Sequence, residues 1–387
     1  MAAFAFAAVS LAALGLVGGY AVFLRRPHSA PGAQRPPLGS GPLPPLDVIV
    51  PTHDEAELVT GKIDDLRRIA YPGPLRFWIV DGASSDATCA RARAAIGDDS
   101  RFRLISLGVA NKTAQLNAAL GLARSPWILV SDADARLAPD LPAALVDAGQ
   151  ADPGVDVVGA PSVPAQAHPL DRLHWQLCNR LRATEARRGS ASHVVGPCYA
   201  FRRRLLERFP LDVANDDCHI SFAAAVAGAR VAWVDGRVVE LRAPLGLWEL
   251  FGHKRRKAAG YLHEVARFLP RAQRMRGPAR AVFLWRAALL LAAPVLGAGA
   301  LATGAAFAVQ QPLAAGAAAG TGALIAILLG RGAGLRPGTL ARLTALTGLL
   351  ASALGAALLV LPFRPPDACY AKVSLTPEAP SPSATNR

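Results

Sequence analysis

An apolar stretch near the C-terminal end restricts the fold most, because residues 287–330 carry no charged side chain. A helix rises 1.5 Å per residue and crosses a hydrocarbon core about 30 Å thick in roughly 20 residues. The stretch is therefore too long for one crossing. Two Gln and one Pro interrupt it at 310–312, and this interruption predicts two membrane helices, at 287–309 and 313–330.

Two further uncharged runs, at 4–24 and 343–361, are each long enough for one crossing. A cleaved signal peptide is the alternative for the first run. Its basic residues, Arg25 and Arg26, come after the apolar run, and no small-x-small cleavage site follows, so we expect a retained anchor. With 52% hydrophobic and only 18% charged residues, the composition indicates a membrane protein rather than a disordered chain or a water-soluble enzyme.

The positions of the basic residues predict the orientation of these four spans. Basic loops stay in the cytoplasm, and the loop between the last two spans holds three arginines, Arg331, Arg336 and Arg342. A chain that starts outside then has residues 25–286 in the cytoplasm and its tail outside. The five cysteines form no CxxC pair, which favours reduced cytoplasmic thiols over a disulfide framework or a zinc site. We expect a multi-pass protein of the plasma (inner) membrane.

The segment between the first span and the others has an α/β pattern. Short β-type apolar runs alternate with helical segments, which predicts βαβ units and a mostly parallel sheet with helices on both faces. Ligands of such sheets bind beyond the carboxyl ends of the strands. The predicted strands are 46–51, 75–81, 101–107, 127–132 and 155–160, and the predicted helices are 55–70, 84–96, 113–124 and 139–149.

Polar residues follow the first two predicted strands. The first strand ends at Pro51 and Thr52, with His53, Asp54 and Glu55 directly after them. Asp81 ends the second strand, where a carboxylate can accept a hydrogen bond from the ring N–H of a nucleobase. The neighbouring polar residues have turn and helix-cap formation as an equally good explanation; they are Ser84, Ser85 and Asp86.

The fourth predicted strand is followed by Asp132 and Asp134. Residues two apart on an extended chain face the same side, so both carboxylates can converge on one hard divalent cation that also holds a diphosphate. Asp-x-Asp alone is a common surface pattern, and its place after a buried strand is what favours the metal site. Lys112 begins the preceding helix and can face phosphate oxygens, with a solvated lysine as the alternative.

A second acidic pair, Asp216 and Asp217, comes before a later amphipathic helix. Helix capping explains one acidic residue, most simply Asp216. The other is then available at a pocket wall as a general base toward an acceptor hydroxyl.

Residues 250–286 hold ten Lys or Arg and one acidic residue, Glu264, which accounts for much of the net charge of +14. Nucleic-acid binding is one explanation of such a belt. Because the belt leads directly into a membrane span and has interleaved apolar residues, we expect helices lying on an anionic leaflet and no nucleic-acid partner. The apolar positions are Leu247, Trp248, Leu250, Phe251, Tyr261, Leu262, Val265, Phe268 and Leu269.

In their order along the chain, these blocks resemble the family-2 glycosyltransferases of the GT-A fold, in particular the membrane-bound inverting group. The similarity covers roughly residues 47–260. The family patterns P-x-Y-N-E, V-D-[DG]-x-S-x-D and G-K-x-x-x-L-N correspond to residues 51–55, 80–86 and 111–117. Its Asp-x-Asp corresponds to Asp132 and Asp134, and its [ED]-D pair to Asp216 and Asp217.

The resemblance implies a role for each of these residues. The nucleotide-sugar donor would bind along Pro51, Thr52, Asp54, Glu55, Asp81, Lys112 and Asp132. A Mg²⁺ or Mn²⁺ ion would bind at Asp134 with Asp132. The catalytic base would be Asp217, the second residue of its acidic pair with Asp216.

The late family motif Q-[RQ]-x-R-W is replaced by residues 253–257, which read HKRRK. His253 and Arg256 remain available to hold pyrophosphate, whereas Lys257 takes the place of an aromatic that stacks on the acceptor sugar in processive members. This departure favours a single transfer to a membrane lipid, a lipid-linked glycan or another short glycan. A processive polysaccharide synthase and a catalytically silent nucleotide-sugar-binding scaffold are the two alternatives.

The resulting domain plan has six parts. They are an N-terminal anchor at 1–26, a Pro-rich linker at 27–46, a cytoplasmic GT-A domain at 47–243, basic amphipathic interfacial helices at 244–286, three membrane helices at 287–361 and a tail at 362–387.

Overall fold

The computed structural model of the chain describes residues 1–25, 42–316 and 337–360. Most of the predicted linker, the predicted tail at 362–387 and most of the predicted span 313–330 lie outside the described residues.

The expected α/β fold is confirmed. A seven-stranded sheet has the order β3-β2-β1-β4-β8-β6-β9, and only β8 runs antiparallel to its neighbours. Its core strands are continuous apolar runs, as expected of strands that are covered on both faces. The strands are β1 (Leu46–Thr52), β2 (Leu75–Gly82), β3 (Phe102–Leu107), β4 (Trp127–Ser131), β6 (Val155–Gly159), β8 (Cys198–Arg202) and β9 (Arg230–Trp233).

Helices cover both faces of the sheet, and the sheet lies between two apolar clusters, one on each face. The predicted helix at 55–70 is shorter in the structure, because a turn in which the Glu55 carbonyl accepts from the backbone N–H of Leu58 comes first and α2 begins only at Val59. The helices are α2 (Val59–Arg67), α3 (Thr88–Ile96), α4 (Lys112–Leu122), α5 (Leu141–Gln150), α6 (Pro169–Arg187) and α7 (Asp216–Val226).

A second, three-stranded sheet crosses the rim of the main one. It consists of β5 (Ala135–Leu137), β10 (Val238–Glu240) and β7 (Ser162–Pro164), with β10 in the middle. Strands of three residues are too short to show a two-residue period, so the sequence pattern does not reveal this sheet.

Three described helices are long and apolar enough to cross a membrane: α1 (Ala2–Arg25), α9 (Gly277–Gln310) and the segment Ala341–Leu359 of α10 (Pro337–Val360). The limit expected between interfacial helices and the first C-terminal span, at 286/287, falls inside α9. Helices α1 and α9 pack antiparallel, because Phe6 stacks on Phe307 while Tyr20 lies against Trp285 at the other end.

The base of these helices is joined to the α/β domain through one buried carboxylate. Glu185 of α6 is fully buried, accepts a hydrogen bond from the Tyr20 hydroxyl of α1 and pairs with Arg286 Nε of α9 at 2.6 Å. Its other oxygen accepts from the Ser192 backbone N–H at 2.9 Å. The Glu185 side chain therefore contacts α1, α9 and the loop that contains Ser192 at the same time.

Helix α8 (Leu247–Phe268) differs from the expected interfacial helix. Four of its apolar side chains are buried against protein rather than facing a bilayer: Leu250 packs with Leu346 of α10, and Val265 and Phe268 pack among α7 and α9 residues, with Leu262 also buried. Its beginning is exposed, where Trp248 is 84% accessible. Sequence periodicity identifies an apolar face but not the element that covers it.

Candidate active site

The polar residues at the strand ends lie along one rim of the main sheet. Strands β1, β2 and β4 are parallel neighbours, so their carboxyl ends open toward the same side. In β1 and β2, Thr52 is in register with Asp81. Asp132 directly follows β4, and its backbone N–H donates to the carbonyl of Pro197, which precedes β8.

Lys112 connects two of the predicted acidic residues. It is the first residue of α4, and its Nζ lies 2.7 Å from Asp132 Oδ1 and 3.1 Å from Asp216 Oδ1. The Tyr199 hydroxyl donates to the other oxygen of Asp216 at 2.6 Å. Asp216 is therefore not the simple helix cap considered as an alternative, and Lys112 is not a solvated lysine.

Asp217 and Asp132 face the same point beside Gly196. A Cβ placed on Gly196 would lie 3.7 Å from Asp217 Oδ2 and 3.9 Å from Asp132 Oδ2. The glycine leaves this space open between the two carboxylates. The structure thus brings Lys112, Asp132, Asp216 and Asp217 together around one cleft.

We predict that Gly196→Ala folds normally but loses activity. Both contacts of the new methyl group are ordinary van der Waals distances, so the fold tolerates it, yet the methyl group occupies reacting space. We expect turnover to fall on the order of 10²-fold, measured as nucleoside diphosphate release. Gly121→Ala is the matched control, since a Cβ there meets nothing within 4 Å; equal activity of the two variants would contradict the prediction.

Burial and the neighbouring Asp216 carboxylate raise the pKa of Asp217, while the Lys257 and Lys112 ammonium groups oppose this rise. Its Oδ1 accepts a hydrogen bond from the Cys218 backbone N–H at 2.8 Å, which fixes the side chain at the first turn of α7. A carboxylate whose pKa is raised by its surroundings is a better proton acceptor than a solvated one.

Asp134 lies in the same acidic region. Burial and the charges of Asp132 and Glu55 raise its pKa to about 7, with Arg242 and Lys112 acting in the opposite direction. Arg242 pairs with Glu55 at 3.1 Å. The raised pKa thus reflects burial first and then the carboxylates that neighbour Asp134 at this end of the cleft.

The donor set fits a divalent cation that completes its coordination with substrate. In the described part of the chain, no three His, Cys, Asp or Glu side chains are grouped so as to hold a metal ion. Asp132 and Asp134 therefore offer two carboxylates at most. Mg²⁺ is commonly held by one or two carboxylates together with water and substrate phosphates, so these two residues suit a metal that arrives with a diphosphate.

At the other end of the rim, Asp81 and Asp54 organise two loops. Asp81 accepts hydrogen bonds from the backbone N–H and the hydroxyl of Ser84. Asp54 accepts from the Ser85 backbone N–H at 2.7 Å, and this hydrogen bond lowers its pKa. His53 contacts the Gly82 carbonyl at 2.7 Å. The loops after β1 and β2 are thus fixed side by side. Asp81, the residue before the last one of β2, takes part in turn formation.

Helix α8 passes along the site with the basic run. Burial lowers the pKa of His253 and of Arg256, and the charge of Glu240 opposes the shift at Arg256. The charge of Lys257 acts on Asp217. Of this run, Lys257 is the side chain associated with the cleft around Gly196.

Lys62 contacts the residues on either side of the Asp-x-Asp turn, and the sequence analysis did not identify it. Its side chain is fully buried in α2, and its Nζ donates to Ser131 Oγ and to the Ala135 carbonyl, both at 2.7 Å. These two residues bracket the turn that carries Asp132 and Asp134. A lysine within an amphipathic helix gives no sequence signal of such a role, because its partners are about 70 residues away.

We predict that Lys62→Met lowers the free energy of unfolding by about 1–3 kcal/mol, because the buried Ser131 hydroxyl and Ala135 carbonyl lose a donor. Thermal unfolding of the purified protein measures the loss. Lys62→Met should also weaken metal-dependent donor binding, whereas Arg68→Met, at a largely exposed position just beyond the same helix, should not. Unchanged stability and unchanged donor binding would exclude this role.

Other contributors that the sequence analysis did not single out are Gly196, Tyr199, Glu240 and Arg242. Glu240 ends β10, and burial, with the Asp134 and Asp132 charges, raises its pKa to about 8 against the opposing charge of Lys257. Such residues come from β8, β10 and their flanking loops, which have no motif of their own. Only the fold brings them to the rim.

Comparisons with known proteins find one matching family and several similar proteins. Residues 47–209 match the family described as Glycosyl transferase family 2. An N-acetylglucosaminyltransferase of Rhizobium meliloti (strain 1021) is 29% identical over 261 residues, which is 62% of this chain and 61% of the relative. One of Rhizobium leguminosarum bv. viciae is 30% identical over 227 residues, 54% and 53% of the two chains. This chain thus spans less than two thirds of the length of these curated relatives.

A solved structure resembles nearly the whole chain. It is a mannosyltransferase from Pyrobaculum calidifontis in complex with GDP-Man and Mn²⁺, with a TM-score of 0.73 and 26% identity, covering 94% of this chain and 99% of the other. The likeness therefore extends beyond the α/β domain to the apolar helices.

Proposed function

We propose that the protein, whose residues 47–209 match the family described as Glycosyl transferase family 2, is a metal-dependent, inverting glycosyltransferase. It moves a sugar from a nucleotide-sugar donor to a membrane lipid, a lipid-linked glycan or another short glycan. The observation that carries the proposal is the convergence of Asp132 and Asp217 on the space beside Gly196.

The donor lies along the rim from Asp81 to the Asp-x-Asp turn. Its nucleobase occupies the end formed by the loops after β1 and β2, where Pro51, Thr52, Asp54 and Glu55 begin the first loop. Its diphosphate reaches Asp132 and Asp134, the residues that would hold a Mg²⁺ or Mn²⁺ ion. When bound, such an ion offsets the negative charge that develops on the diphosphate leaving group. The mannosyltransferase with GDP-Man and Mn²⁺ supports this assignment.

Asp217 removes the proton of the acceptor hydroxyl as its oxygen attacks the anomeric carbon. The bond to the diphosphate breaks on the opposite face, so a single displacement inverts the configuration. Lys112 holds Asp132 and Asp216 in place through its two ion pairs. Lys257 and, earlier in α8, Arg256 add positive charge for the diphosphate group, while the partly buried His253 is neutral and can only donate a hydrogen bond to it.

The acceptor reaches the cleft from the membrane. The Tyr20–Glu185–Arg286 junction fixes the α/β domain at the ends of α1 and α9, and we propose that both helices span the plasma (inner) membrane with the domain on the cytoplasmic side. Lys257 in place of an aromatic supports a single transfer rather than processive polymer synthesis.

A donor panel tests the function. The full chain, purified in detergent, is incubated with Mn²⁺ or Mg²⁺, a lipid extract and each of several nucleotide sugars, including UDP-GlcNAc and GDP-Man, because the relatives and the similar structure suggest these two. We expect release of nucleoside diphosphate with one donor and with metal only. Absence of turnover with every donor, together with no donor binding, would contradict the proposal and favour a different role for the fold.

A further inference from the structure

A second set of buried polar side chains, which we call the chamber, is centred on Arg182 of α6. Its side chain is 8% exposed. Its Nη2 lies 2.8 Å from His193 Nε2, while Nε and Nη1 have no hydrogen-bond partner in the described part of the chain. No described carboxylate forms an ion pair with it. A buried guanidinium without an anion is strongly disfavoured, so this position calls for a negatively charged partner.

His193 adds a further donor to the chamber. Its side chain is also 8% exposed. Because a guanidinium can only donate, Nε2 is the accepting nitrogen and Nδ1 carries the hydrogen. Within the described residues Nδ1 has no partner. Burial and the Arg182 charge lower the pKa of His193, so the ring is neutral and its Nδ1–H is a further donor among these side chains.

Three further side chains complete the chamber wall, each with an unpaired donor. Tyr261 of α8 lies 5.1 Å from the His193 ring between centroids, and Trp233 lies 5.8 Å from Arg182 Cζ. The Tyr261 hydroxyl, Trp233 Nε1 and Arg286 Nη2 all lack a partner among the described residues. Glu185 neutralises Arg286 alone.

We propose that this chamber, lined by Arg182, His193, Tyr261, Trp233 and Arg286, binds the phosphate group of an anionic ligand. Every unpaired group named is a hydrogen-bond donor, and the positive charge of Arg182 is not matched by an ion pair with any described carboxylate. A tetrahedral phosphate presents several acceptor oxygens with charge, which one water molecule cannot match.

The position of the chamber indicates a lipid as the source of the phosphate. Arg286 directly precedes the uncharged stretch of α9, so the chamber lies at the polar end of that apolar helix. It is also near the proposed base: the Arg182 charge acts on Cys218, next to Asp217, and the Lys257 charge acts on both His193 and Asp217. This assignment rests on the proposed transferase function and makes the acceptor a phosphate-bearing lipid, anchored here while its hydroxyl lies at Asp217.

Binding to the full chain, without any donor, tests the inference. One arm titrates inorganic phosphate; the other uses phosphatidylcholine vesicles that contain either phosphatidic acid or diacylglycerol. We expect binding to phosphatidic acid but not to diacylglycerol, and at least tenfold weaker binding by Arg182→Met. Arg180→Met, at an exposed position of the same helix, should bind like the unaltered chain.

Tyr261→Phe gives a second reading if Arg182→Met does not fold. It keeps the ring that packs against Phe222 and removes only the hydroxyl, so we expect about tenfold weaker binding, as for loss of one hydrogen bond to a charged group. Binding of inorganic phosphate alone would overturn the lipid source. Equal binding by the unaltered chain and both variants would overturn the chamber itself.

Failure of the chamber and failure of the transferase proposal are distinguishable. Asp217→Asn should bind phosphatidic acid normally, because its carboxylate does not line the chamber. Phosphate binding without any donor turnover would contradict the transferase function and leave the chamber supported. Sugar transfer that is unaffected by Arg182→Met would contradict the chamber and leave the transferase function supported.

Discussion

Replacing Asp217 with asparagine is expected to reduce glycosyl transfer on the order of 10²- to 10⁴-fold while donor binding is retained, because a positioned general base contributes that much to a rate. The amide keeps an oxygen for the Cys218 backbone N–H, which donates to Asp217 at 2.8 Å. The variant should therefore fold. Steady-state release of nucleoside diphosphate with acceptor present measures the loss.

Asp98→Asn, at an exposed position, is the control for the loss of one carboxylate. This variant should be fully active. The pH dependence gives a second reading. The pKa of Asp217 is raised above its usual value of 3.8, and only the deprotonated form accepts a proton, so kcat should fall as pH decreases through this raised pKa. Unchanged turnover in Asp217→Asn would remove the base from the mechanism.

Replacing Asp134 with asparagine is expected to weaken metal-dependent donor binding on the order of 10²-fold or more, since a charged ligand is lost where the metal offsets the charge of the diphosphate. Binding of the donor is titrated by calorimetry with Mn²⁺ and again with a chelator.

Asp140→Asn is the matched control, because its exposed carboxylate makes no capping hydrogen bond. Its donor affinity should equal that of the unaltered chain. Donor affinity that is the same with Mn²⁺ and with chelator in the unaltered protein would exclude the metal from the account.

The sheet was predictable because its strands are local. Each of β1, β2, β3, β4 and β6 is a short apolar run between helical segments, and the rule for carboxyl ends directs attention to Asp81 and to the Asp-x-Asp turn without any tertiary information. The structure then brings Lys112, Asp132, Asp216 and Asp217 to one cleft. Their chemical roles stay predictions.

The parts that sequence patterns missed depend on partners far along the chain. Lys62 contacts residues about 70 positions away, and Glu185 joins α1 to α9, whose contacting residues are 165 and 101 positions from it. The small sheet that carries Glu240 has strands of three residues. Periodicity describes one element at a time, whereas these features arise from packing between elements.

The apolar face of α8 shows the same limit in another form. Its residues alternate with basic ones as an interfacial helix requires, but Leu250, Val265 and Phe268 are covered by other helices of the chain. A hydrophobic face in a sequence predicts that the face is buried. It does not say whether lipid or protein covers that face. The exposed Trp248 at the start of α8 remains available to the membrane surface.

The most direct measurement is a structure of the full chain with a nucleoside diphosphate, UDP or GDP, and Mn²⁺, using the anomalous signal of the metal. We predict a single manganese peak at the Asp132–Asp134 turn, with the diphosphate beside it and the nucleobase at the loops that hold Asp81. A manganese ion and nucleotide bound on another surface, with the space beside Gly196 empty, would contradict the assignment of this rim as the active site.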